Sequence, residues 1–357
     1  MRIAVLGPSR HALVEPYAGG QESHTAELVR ALRSRGHQVL LYAAPGTDVG
    51  LADELVTHVP LPDLSAASHA EALQGDLLAL RDQMAATGAI ADLAGRPDVD
   101  VVHNQSLSHL PLALHRLLPA PVVTTLHTPP FPMLEAGTIL GGRAITYVAV
   151  SAATARLWTT LPTAPTVVLN GVDPRRFVAG PGGPRLAWVG RITSEKGTDL
   201  AIRVARAAGM PLDVVGPVSD PAWYAAVVQP LLGGDVRHLG HLDHAATAAV
   251  VGRSAALLVT PRWPEPFGLV AAEGAMCGTP VVALAEGGLP EVVSSASGVI
   301  VPVLPDEGAQ VAAFVEGLGR ALRLDRAWVR ADAEARLSQE RMVDGYERVL
   351  TQAARRG

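Results

Sequence analysis

Short apolar runs alternate with helical periodicity along this chain. Residues 3–6 form an apolar run that ends at Gly7, and residues 39–43 form another. Between the two runs, residues 22–35 place apolar side chains at helical spacing and stop at Gly36. A buried strand, a helix and a second buried strand in this order predict the beginning of a parallel sheet.

The alternation continues through the 357 residues. In the first half the pattern predicts further strands at 101–103, 122–126, 146–150 and 166–169, and helices at 70–93, 107–118 and 151–161. In the second half it predicts strands at 186–189, 212–215, 236–239, 256–259, 281–284 and 299–301. It also predicts helices there at 198–208, 222–231, 245–253, 269–277, 289–293, 309–322 and 325–354.

Two α/β domains follow from this rhythm. Residues 170–184 are rich in Gly, Pro and Asp without periodicity, which is typical of a linker. We therefore predict a first domain at 1–169 and a second at 170–338, in an α/β fold of two Rossmann-like βαβ domains facing across a cleft. Ligands bind at the carboxyl ends of the strands in such sheets, so the cleft is the expected site.

Composition limits the classes of function. With 48% hydrophobic and 18% charged residues, the chain can bury stable cores. A net charge of -5 and 4% aromatic residues disfavour a nucleic-acid partner. A single cysteine cannot form an internal disulfide, and the apolar run at 3–6 is too short for a signal peptide. No run approaches the roughly 18 apolar residues of a membrane span. We expect a cytoplasmic protein, and peripheral contact with the inner face of the membrane stays open.

The strongest motif surrounds two glutamates, Glu265 and Glu273, which are separated by seven residues. Glu265 lies in a proline-bound loop, and Phe267 and Gly268 open a helix. The first-turn amides of this helix are those of Gly268, Leu269 and Val270. Such a helix start suits a diphosphate, while Glu273 is suited to accept hydrogen bonds from a diol such as a ribose. Two solvated carboxylates beside a buried helix explain the same spacing equally well.

A second motif places two cations after a predicted strand. The strand ends at Gly190, Arg191 and Lys196 follow, and a helix begins at Thr198. Lys196 is the one lysine in the chain, among arginines that serve elsewhere. We favour a shared anionic ligand for the two cations, because a position that keeps lysine needs its compact ammonium group. An ordinary capped helix with surface cations is the alternative.

Weaker signals come from the first half and the linker. Gly19 and Gly20 let backbone approach a ligand, although the segment lacks the glycine fingerprint of nicotinamide-binding dehydrogenases. His127 and His103 end predicted strands, and Asn170 begins the linker. Taken one at a time, a flexible turn or a buried histidine with satisfied hydrogen bonds accounts for each of these features.

Together the motifs resemble the retaining GT-B fold glycosyltransferases of family 4, the group 1 glycosyltransferases. The matching segments are Gly19, Gly20, Glu22 and His24; Thr125 and His127; Asn170 to Asp173; Val189 to Gly197; and Glu265 to Val282. They lie in the family's order and span nearly the whole chain. The chain departs from the family pattern at Gly274 and Cys277, and at 217–220.

The resemblance implies roles for these residues. Arg191 and Lys196 would hold the diphosphate, Glu273 the ribose and Glu265 the donor sugar, with His127 near the reacting carbon. The base would lie near His238, Leu242 and His244. The remaining implied donor contacts come from Gly19, Gly20, Asn170, Gly190, Phe267, Gly268, Leu269 and Val270. The closing helix, at about 339–357, would pack on the first domain.

The implied reaction moves a hexose from a nucleoside-diphosphate sugar, UDP- rather than GDP-linked, to an acceptor hydroxyl with retention of configuration. The acceptor is left open among a small molecule, a glycan and a lipid-linked compound. No cofactor or metal is implied, and Asp98 and Asp100 are interpreted as a turn. A nucleotide-sugar epimerase of the same architecture and a non-catalytic sugar-nucleotide-binding protein remain alternatives.

Overall fold

Two α/β units, each built on its own parallel sheet, make up the chain. The structure is a computed structural model that describes residues 1–71 and 74–356. The first unit holds the described residues of 1–150, 154–168 and 343–356, and the second holds 151–153 and 169–342. This confirms the predicted pair of Rossmann-like domains.

The first sheet has seven parallel strands. They are β1 Arg2–Leu6, β2 Gln38–Ala43, β3 Glu54–Thr57, β4 Val101–Asn104, β5 Val122–Leu126, β6 Thr146–Ala149 and β7 Thr166–Val167. Their order is β3-β2-β1-β4-β5-β6-β7, and the central strand β1 pairs with β2 on one side and β4 on the other. The sequence pattern predicts every strand except β3, whose ELVT segment is half-buried and carries no continuous apolar run.

The second sheet has six parallel strands. They are β8 Arg185–Val189, β9 Leu212–Val215, β10 Val236–His238, β11 Ser254–Val259, β12 Val281–Leu284 and β13 Gly298–Val301. Their order is β10-β9-β8-β11-β12-β13. All six agree with the predicted strands to within two residues. In β12, which is buried throughout, a sheet covered on both faces gives a continuous apolar run.

Helices connect the strands in both units. Those before β8 are α1 Gly20–Ser34, α2 Ala66–Glu71, α3 Gln74–Leu93, α4 Leu110–Ala113, α5 Pro132–Gly141 and α6 Ala152–Leu157. Those after β8 are α7 Thr198–Ala207, α8 Pro221–Trp223, α9 His244–Gly252, α10 Leu269–Met276, α11 Leu289–Val292, α12 Glu307–Ala321, α13 Arg326–Leu337 and α14 Gln339–Ala354. Within the described residues, no helix has both the length and the apolar character needed to cross a bilayer.

Several predicted helices differ in extent. The helix expected at 70–93 corresponds to α2 and α3. Its residues 72 and 73 lie outside the described residues. Residue 357, the last of the predicted closing segment, also lies outside them. The helix expected at 107–118 contains only the short α4 and one further turn, and α5 was not predicted. The closing helix is split at Ser338, because the main chain of Val172 bonds to both Leu337 and Gln339 there.

Each unit has its own apolar core. In the first unit, Tyr42, Leu126 and Trp158 belong to one buried cluster. In the second, Trp188 and Phe314 belong to another. Burial of apolar surface stabilises the folded chain by roughly 25 cal/mol per Å². These clusters therefore hold the strands in place, and the carboxyl ends of the strands carry the polar residues described next.

Candidate functional site

Glycine backbones bring the carboxyl ends of β8, β9 and β10 together. The Gly190 amide donates to the Val215 carbonyl at 3.0 Å, and the Gly216 amide donates to the Gly240 carbonyl at 2.8 Å. A Cβ on Gly216 would overlap the carbonyl oxygen of Gly190. The predicted residue Gly190 therefore lies at the edge of the sheet where Rossmann-like domains bind ligands.

The residues predicted for the base follow the neighbouring strand. His238 ends β10, and its Nε2 donates to the Gly216 carbonyl at 2.9 Å. Leu242 is half-buried in the next loop, and His244 begins α9 with its ring 5.3 Å from that of Phe177. The structure thus places His238 beside Gly216, at the carboxyl ends of β9 and β10. Contact of this segment with the base of a nucleotide stays a prediction.

Lys196 and Glu265 form an ion pair. Their Nζ and Oε2 atoms are 2.6 Å apart, and the side chains are only 19% and 16% exposed. The indole Nε1 of Trp263 donates to the same oxygen at 3.0 Å. The ammonium group also lies 4.8 Å from the centre of the Trp263 ring, a cation–π distance. Two residues predicted for different parts of a donor are therefore direct neighbours.

Contacts with the end of β11 hold the Lys196 loop in place. Gly197 has a φ of +68°, and a Cβ there would overlap the Thr260 carbonyl oxygen. The Thr260 hydroxyl donates to the Gly197 carbonyl at 2.8 Å and accepts from Trp188 Nε1 at 3.0 Å. A left-handed backbone this close to a carbonyl requires glycine, so the glycine after Lys196 has a structural cause.

The Glu265 loop is fixed by a glycine pair. The Gly288 amide donates to the Glu265 carbonyl at 2.7 Å. Gly287 has a φ of +57°, and a Cβ there would overlap the same carbonyl oxygen. The position of the Glu265 main chain therefore depends on two residues that no predicted motif includes.

Helix α10 begins at Leu269, four residues after Glu265. Gly268 precedes it with a φ of +95°, where a side chain would overlap Leu289. Glu265 Cγ lies 3.8 Å from the Cβ position of Gly268, so the helix start and the carboxylate are adjacent. Phe267 is buried. The amides of Leu269 and Val270 belong to the first turn of α10, where main-chain N–H groups have no acceptor within the helix.

The rest of α10 explains one departure from the family pattern. Glu273 lies in the second turn and is half-buried. A Cβ on Gly274 would overlap the side chain of Leu257 on β11, so glycine permits the close packing of helix and sheet. Cys277 is fully buried, and burial raises the pKa of its thiol to about 12.

Arg191 is more exposed than Lys196. Its side chain is 44% exposed and pairs with Glu195 at 3.2 Å, four residues along the chain. The neighbouring cation Arg262 makes two hydrogen bonds to Asp199, at 2.7 and 2.8 Å, which raise the pKa of its guanidinium. Arg191 is thus held by an exposed ion pair at the surface, whereas Lys196 belongs to a tightly packed group.

The linker motif beginning at Asn170 has a structural role. Asn170 is 5% exposed, and its Oδ1 has no hydrogen-bond partner within the described part of the chain. A Cβ on Gly171 would press against the main chain between α13 and α14. Burial raises the pKa of Asp173, but hydrogen bonds from Arg175 outweigh it and hold this pKa below its usual range. The predicted contact of Asn170 with a donor stays a prediction.

In the first unit, the glycine pair begins α1. Gly20 is the first residue of this helix, and the Gly19 carbonyl accepts from the Ser23 amide at 3.1 Å. Glu22 and His24 follow on the buried face of α1. The glycine pair therefore lies at the amino end of a helix that comes directly after the loop following β1.

His127 lies at the carboxyl edge of the first sheet. It follows β5, is 9% exposed, and has its Nε2 2.5 Å from Oε1 of Gln105. Gln105 follows β4 and is fully buried. Its amide nitrogen lies 2.8 Å from Nε2 of His103. The two histidines that the sequence placed at strand ends are therefore joined by one glutamine.

Two further rings complete what we call the histidine cluster, made of His24, His103, His127 and Tyr346. The ring of His24 lies 5.0 Å from that of His127 and 5.6 Å from that of Tyr346. Burial lowers the pKa of His24 to about 3. Burial and the neighbouring His24 lower the pKa of His103 to about 3, and burial with both neighbours lowers the pKa of His127 well below its ordinary value. The cluster is neutral at pH 7.

Sequence reasoning missed Trp263, Gln105 and Tyr346. Trp263 lies two residues before Glu265, and Gln105 lies two residues after His103. Their hydrogen-bonding groups, an indole N–H and an amide, are the sequence features that could have indicated these roles. Tyr346 lies 221 residues from its partner Thr125, and no local pattern predicts this contact.

The two aspartates interpreted as a turn contact one arginine. Oδ2 of Asp98 lies 2.6 Å from Nη1 of Arg2, and Oδ2 of Asp100 accepts from the Arg2 amide at 2.7 Å. Both precede β4, at the amino end of that strand. Their carboxylates therefore help to fix the first strand of the sheet.

Comparison with known proteins agrees with this architecture. A glycogen synthase of Mycobacterium tuberculosis is 29% identical over 92% of this chain and 88% of its own length. A phosphatidyl-myo-inositol mannosyltransferase of Mycolicibacterium smegmatis is 28% identical over the same shares of the two chains. The solved structure of Anabaena Alr3699/HepE in complex with UDP-glucose has a TM-score of 0.74 and 17% identity, covering 99% of this chain and 100% of that chain, which shows a shared fold.

Family models cover most of the chain. The model described as Glycosyltransferase Family 4 matches residues 18–176. The model described as Glycosyl transferases group 1 matches residues 174–336 and includes Lys196, Glu265 and α10. The chain therefore belongs to family 4 of the group 1 glycosyltransferases, and the protein is a glycosyltransferase with the GT-B fold.

Proposed function

We propose that this glycosyltransferase moves a hexose from a nucleoside-diphosphate sugar to an acceptor hydroxyl, with retention of configuration and without a metal ion. Its donor is a UDP-sugar in preference to a GDP-sugar. The family match gives no support to an epimerase or to a non-catalytic binding protein.

The observation that carries the proposal is the grouping of Lys196, Glu265 and the start of α10. Glu265 accepts from Lys196 at 2.6 Å and lies beside Gly268, where the helix begins. An ammonium group has three donors, so Lys196 can keep Glu265 and also donate to a phosphate. The helix start adds amides oriented toward negative charge. One small region thus offers a cation and amides for a diphosphate, and a carboxylate for sugar hydroxyls.

Charge stabilisation then carries the reaction. The bond between the anomeric carbon and the phosphate oxygen breaks, and negative charge grows on the leaving diphosphate. Lys196, Arg191 and the amides of α10 stabilise that charge, and preorganised groups of this kind supply most of the rate enhancement in many enzymes. The acceptor oxygen forms the new bond on the face that the diphosphate leaves, and the leaving phosphate oxygen takes the acceptor proton. This route needs no protein nucleophile, and the protein's cations do the work of a divalent ion.

Binding roles are divided among the other residues. Glu273 accepts hydrogen bonds from the ribose, Glu265 from hydroxyls of the donor sugar, and His127 contacts the sugar near the reacting carbon. The base binds beside His238, Leu242 and His244. The main chains of Gly19, Gly20 and Gly190, with Asn170 and Phe267, complete the proposed donor contacts.

The named relatives support the choice of substrates. The Anabaena protein is described in complex with UDP-glucose, which supports a UDP-hexose donor. One relative is a glycogen synthase and another a phosphatidyl-myo-inositol mannosyltransferase, which supports a glycan or a lipid-linked acceptor. The proposal also includes a small molecule as a third class of acceptor. It further includes a cytoplasmic location, with peripheral contact at the inner face of the membrane.

A donor panel tests the proposal. The protein is incubated with UDP-glucose, UDP-galactose, UDP-N-acetylglucosamine and GDP-mannose, with and without glycan and lipid-linked acceptors, and nucleotide release is measured. We expect the fastest release with a UDP-hexose, unchanged rates in excess EDTA, and a product whose anomeric proton coupling matches the donor's. An inverted product, or activity that EDTA abolishes, would contradict the mechanism.

A variant pair shows whether release depends on the proposed site. Lys196→Met removes the cation that contacts Glu265, and Arg203→Met removes a cation that pairs with Glu307 at 2.9 Å on the surface. We expect only the first to abolish release. Equal rates in both variants would place the chemistry elsewhere.

A further inference from the structure

Gln105 is anchored in the first unit through its main chain. Its amide donates to the Leu6 carbonyl at 2.9 Å, and its carbonyl accepts from Gln21 Nε2 at 2.6 Å. The residue is fully buried. Its backbone is therefore fixed between β1 and α1.

The side-chain amide is held on one side. Its nitrogen donates to Nε2 of His103 at 2.8 Å and to Oγ1 of Thr125 at 3.2 Å. The amide oxygen then faces the other way, 2.5 Å from Nε2 of His127. Because a carbonyl oxygen only accepts, His127 Nε2 must be the donor in this contact.

The surroundings of His127 keep the ring uncharged. His24, whose ring is 5.0 Å away, and Gln105 both lie against it. Burial together with His24 and His103 lowers the pKa of His127 well below its ordinary value. A neutral imidazole carries one proton, and here the contact with Gln105 puts that proton on Nε2.

We propose that Gln105 is a positioning residue that holds His127 as the neutral Nε2–H tautomer, so that Nδ1 keeps a lone pair for a hydroxyl group of the donor sugar. This inference rests on the proposed function, in which His127 contacts that sugar. It adds a specific hydrogen-bonding role for His127: the ring accepts a hydrogen bond from the sugar through Nδ1. In the opposite tautomer Nδ1 would carry a hydrogen, and it could no longer accept a hydrogen bond from that hydroxyl group.

Nitrogen NMR of the full-length protein tests the tautomer with no donor present. Histidine is labelled with ¹⁵N, and the His127 signals are assigned by their loss in His127→Asn. We expect the pattern of a protonated Nε2 and an unprotonated Nδ1 at pH 7. A protonated Nδ1 would overturn the proposal.

Two variants of Gln105 change the tautomer in different ways. Gln105→Leu removes the acceptor, and we expect a mixture of His127 tautomers. Gln105→Glu keeps the shape but places a carboxylate against Nε2, so we expect the doubly protonated ring at pH 7. In both variants kcat should fall about 10- to 100-fold, because Nδ1 no longer accepts the hydrogen bond from the sugar, while the KM for the donor changes less. If the leucine variant does not fold, the isosteric glutamate variant still gives the test. His127 signals unchanged in a folded variant would refute the proposal.

Gln310→Leu is the matched control. Gln310 is buried in the second unit, accepts from the Leu304 amide at 2.7 Å and donates to the Pro302 carbonyl at 3.1 Å. Its loss should destabilise the protein without altering the His127 spectrum. A wild type with the expected tautomer but no transferase activity would refute the proposed function and leave the link between Gln105 and His127 intact. A changed tautomer with unchanged kcat would refute the catalytic role of that link.

Discussion

The Nζ atom of Lys196 lies 2.6 Å from Oε2 of Glu265, and Trp263 donates to the same oxygen at 3.0 Å. Both charged side chains are more than four-fifths buried, at 19% and 16% exposure. A pair in such surroundings is strongly destabilised when one partner is removed, because the other charge stays buried without it. Substitutions at this pair should therefore affect folding as well as chemistry.

Lys196→Met should lower the free energy of unfolding by about 1–3 kcal/mol, since a buried acceptor loses its charged partner. It should also lower kcat by about 100-fold or more, since the leaving diphosphate loses a cation. Urea unfolding and donor turnover measure the two effects. In the control Arg203→Met, whose ion pair with Glu307 is 44% and 55% exposed, the stability change should be about 0.5 kcal/mol or less. Equal stability of the Lys196 variant and wild type would show that the pair adds nothing to folding.

Arg191→Met should separate chemistry from stability. Arg191 is 44% exposed and pairs with Glu195 at 3.2 Å, a contact typical of surface helices and turns. We expect a stability change of about 0.5 kcal/mol or less, together with a loss of turnover comparable to that of the lysine variant. Thermal unfolding and steady-state kinetics on the same preparation give both values. Normal turnover would remove Arg191 from the proposed diphosphate site.

The two glutamates should have different effects on nucleotide binding. Glu273→Gln should weaken binding of both UDP and the UDP-sugar, because both contain the ribose. Glu265→Gln should weaken binding of the sugar nucleotide relative to UDP and change which sugars are accepted, because a lost hydrogen bond to a sugar costs about 1–3 kcal/mol. Calorimetric titration with UDP and with UDP-glucose measures this. Weaker UDP binding in the Glu265 variant alone would reverse the proposed placement of the donor.

Gly287→Ala should disturb the Glu265 loop. Gly287 has a φ of +57° and no room for a Cβ beside the Glu265 carbonyl, whereas Gly209 has a φ of +65° and nothing within 4 Å of its Cβ position. Both alanine variants incur the cost of a left-handed backbone, about 1–2 kcal/mol. Only the first adds an overlap. Urea unfolding should therefore show a larger loss for Gly287→Ala, with a fall in turnover absent from Gly209→Ala. Equal losses would show that the loop adjusts freely.

Local patterns predict most of the fold because both sheets are covered on both faces. Strand β12 is wholly buried and appears as an uninterrupted apolar run. Strand β3 is half-buried and polar at Glu54, so it gives no such signal. The local sequence does not indicate the break between α13 and α14 either, because this break depends on the main chain of Val172, more than 150 residues earlier in the chain.

The site divides in the same way. Lys196 and Glu265 stand out from their local motifs, but their direct pairing joins positions 69 residues apart and follows only from the packing of β8 beside β11. Gln105 and Tyr346 have ordinary sequence surroundings. Their roles arise because β4, β5 and α14 bring polar groups into one buried cluster, and tertiary contacts of that kind leave no period in the sequence.

The histidine cluster should make the protein sensitive to acid. His24 and His103 have a pKa of about 3 when folded, against about 6.5 when unfolded. Between these values the unfolded chain binds protons that the folded chain does not. Stability should therefore fall as the pH drops from about 6.5 toward 3, by up to about 1.4 kcal/mol per pH unit for each histidine.

His24→Phe isolates one of these contributions. Both nitrogens of His24 are buried without a hydrogen-bond partner in the described part of the chain, so a similar apolar ring should leave stability at pH 7.5 unchanged or raise it. Its advantage over wild type should then grow as the pH falls to 5, because one proton-binding site has been removed from the unfolded state. Urea unfolding at several pH values measures the difference, and His69→Asn, at an exposed position, controls for the loss of a histidine as such. Parallel curves for the His24 variant and wild type would mean that His24 becomes protonated in the folded protein as readily as in the unfolded one.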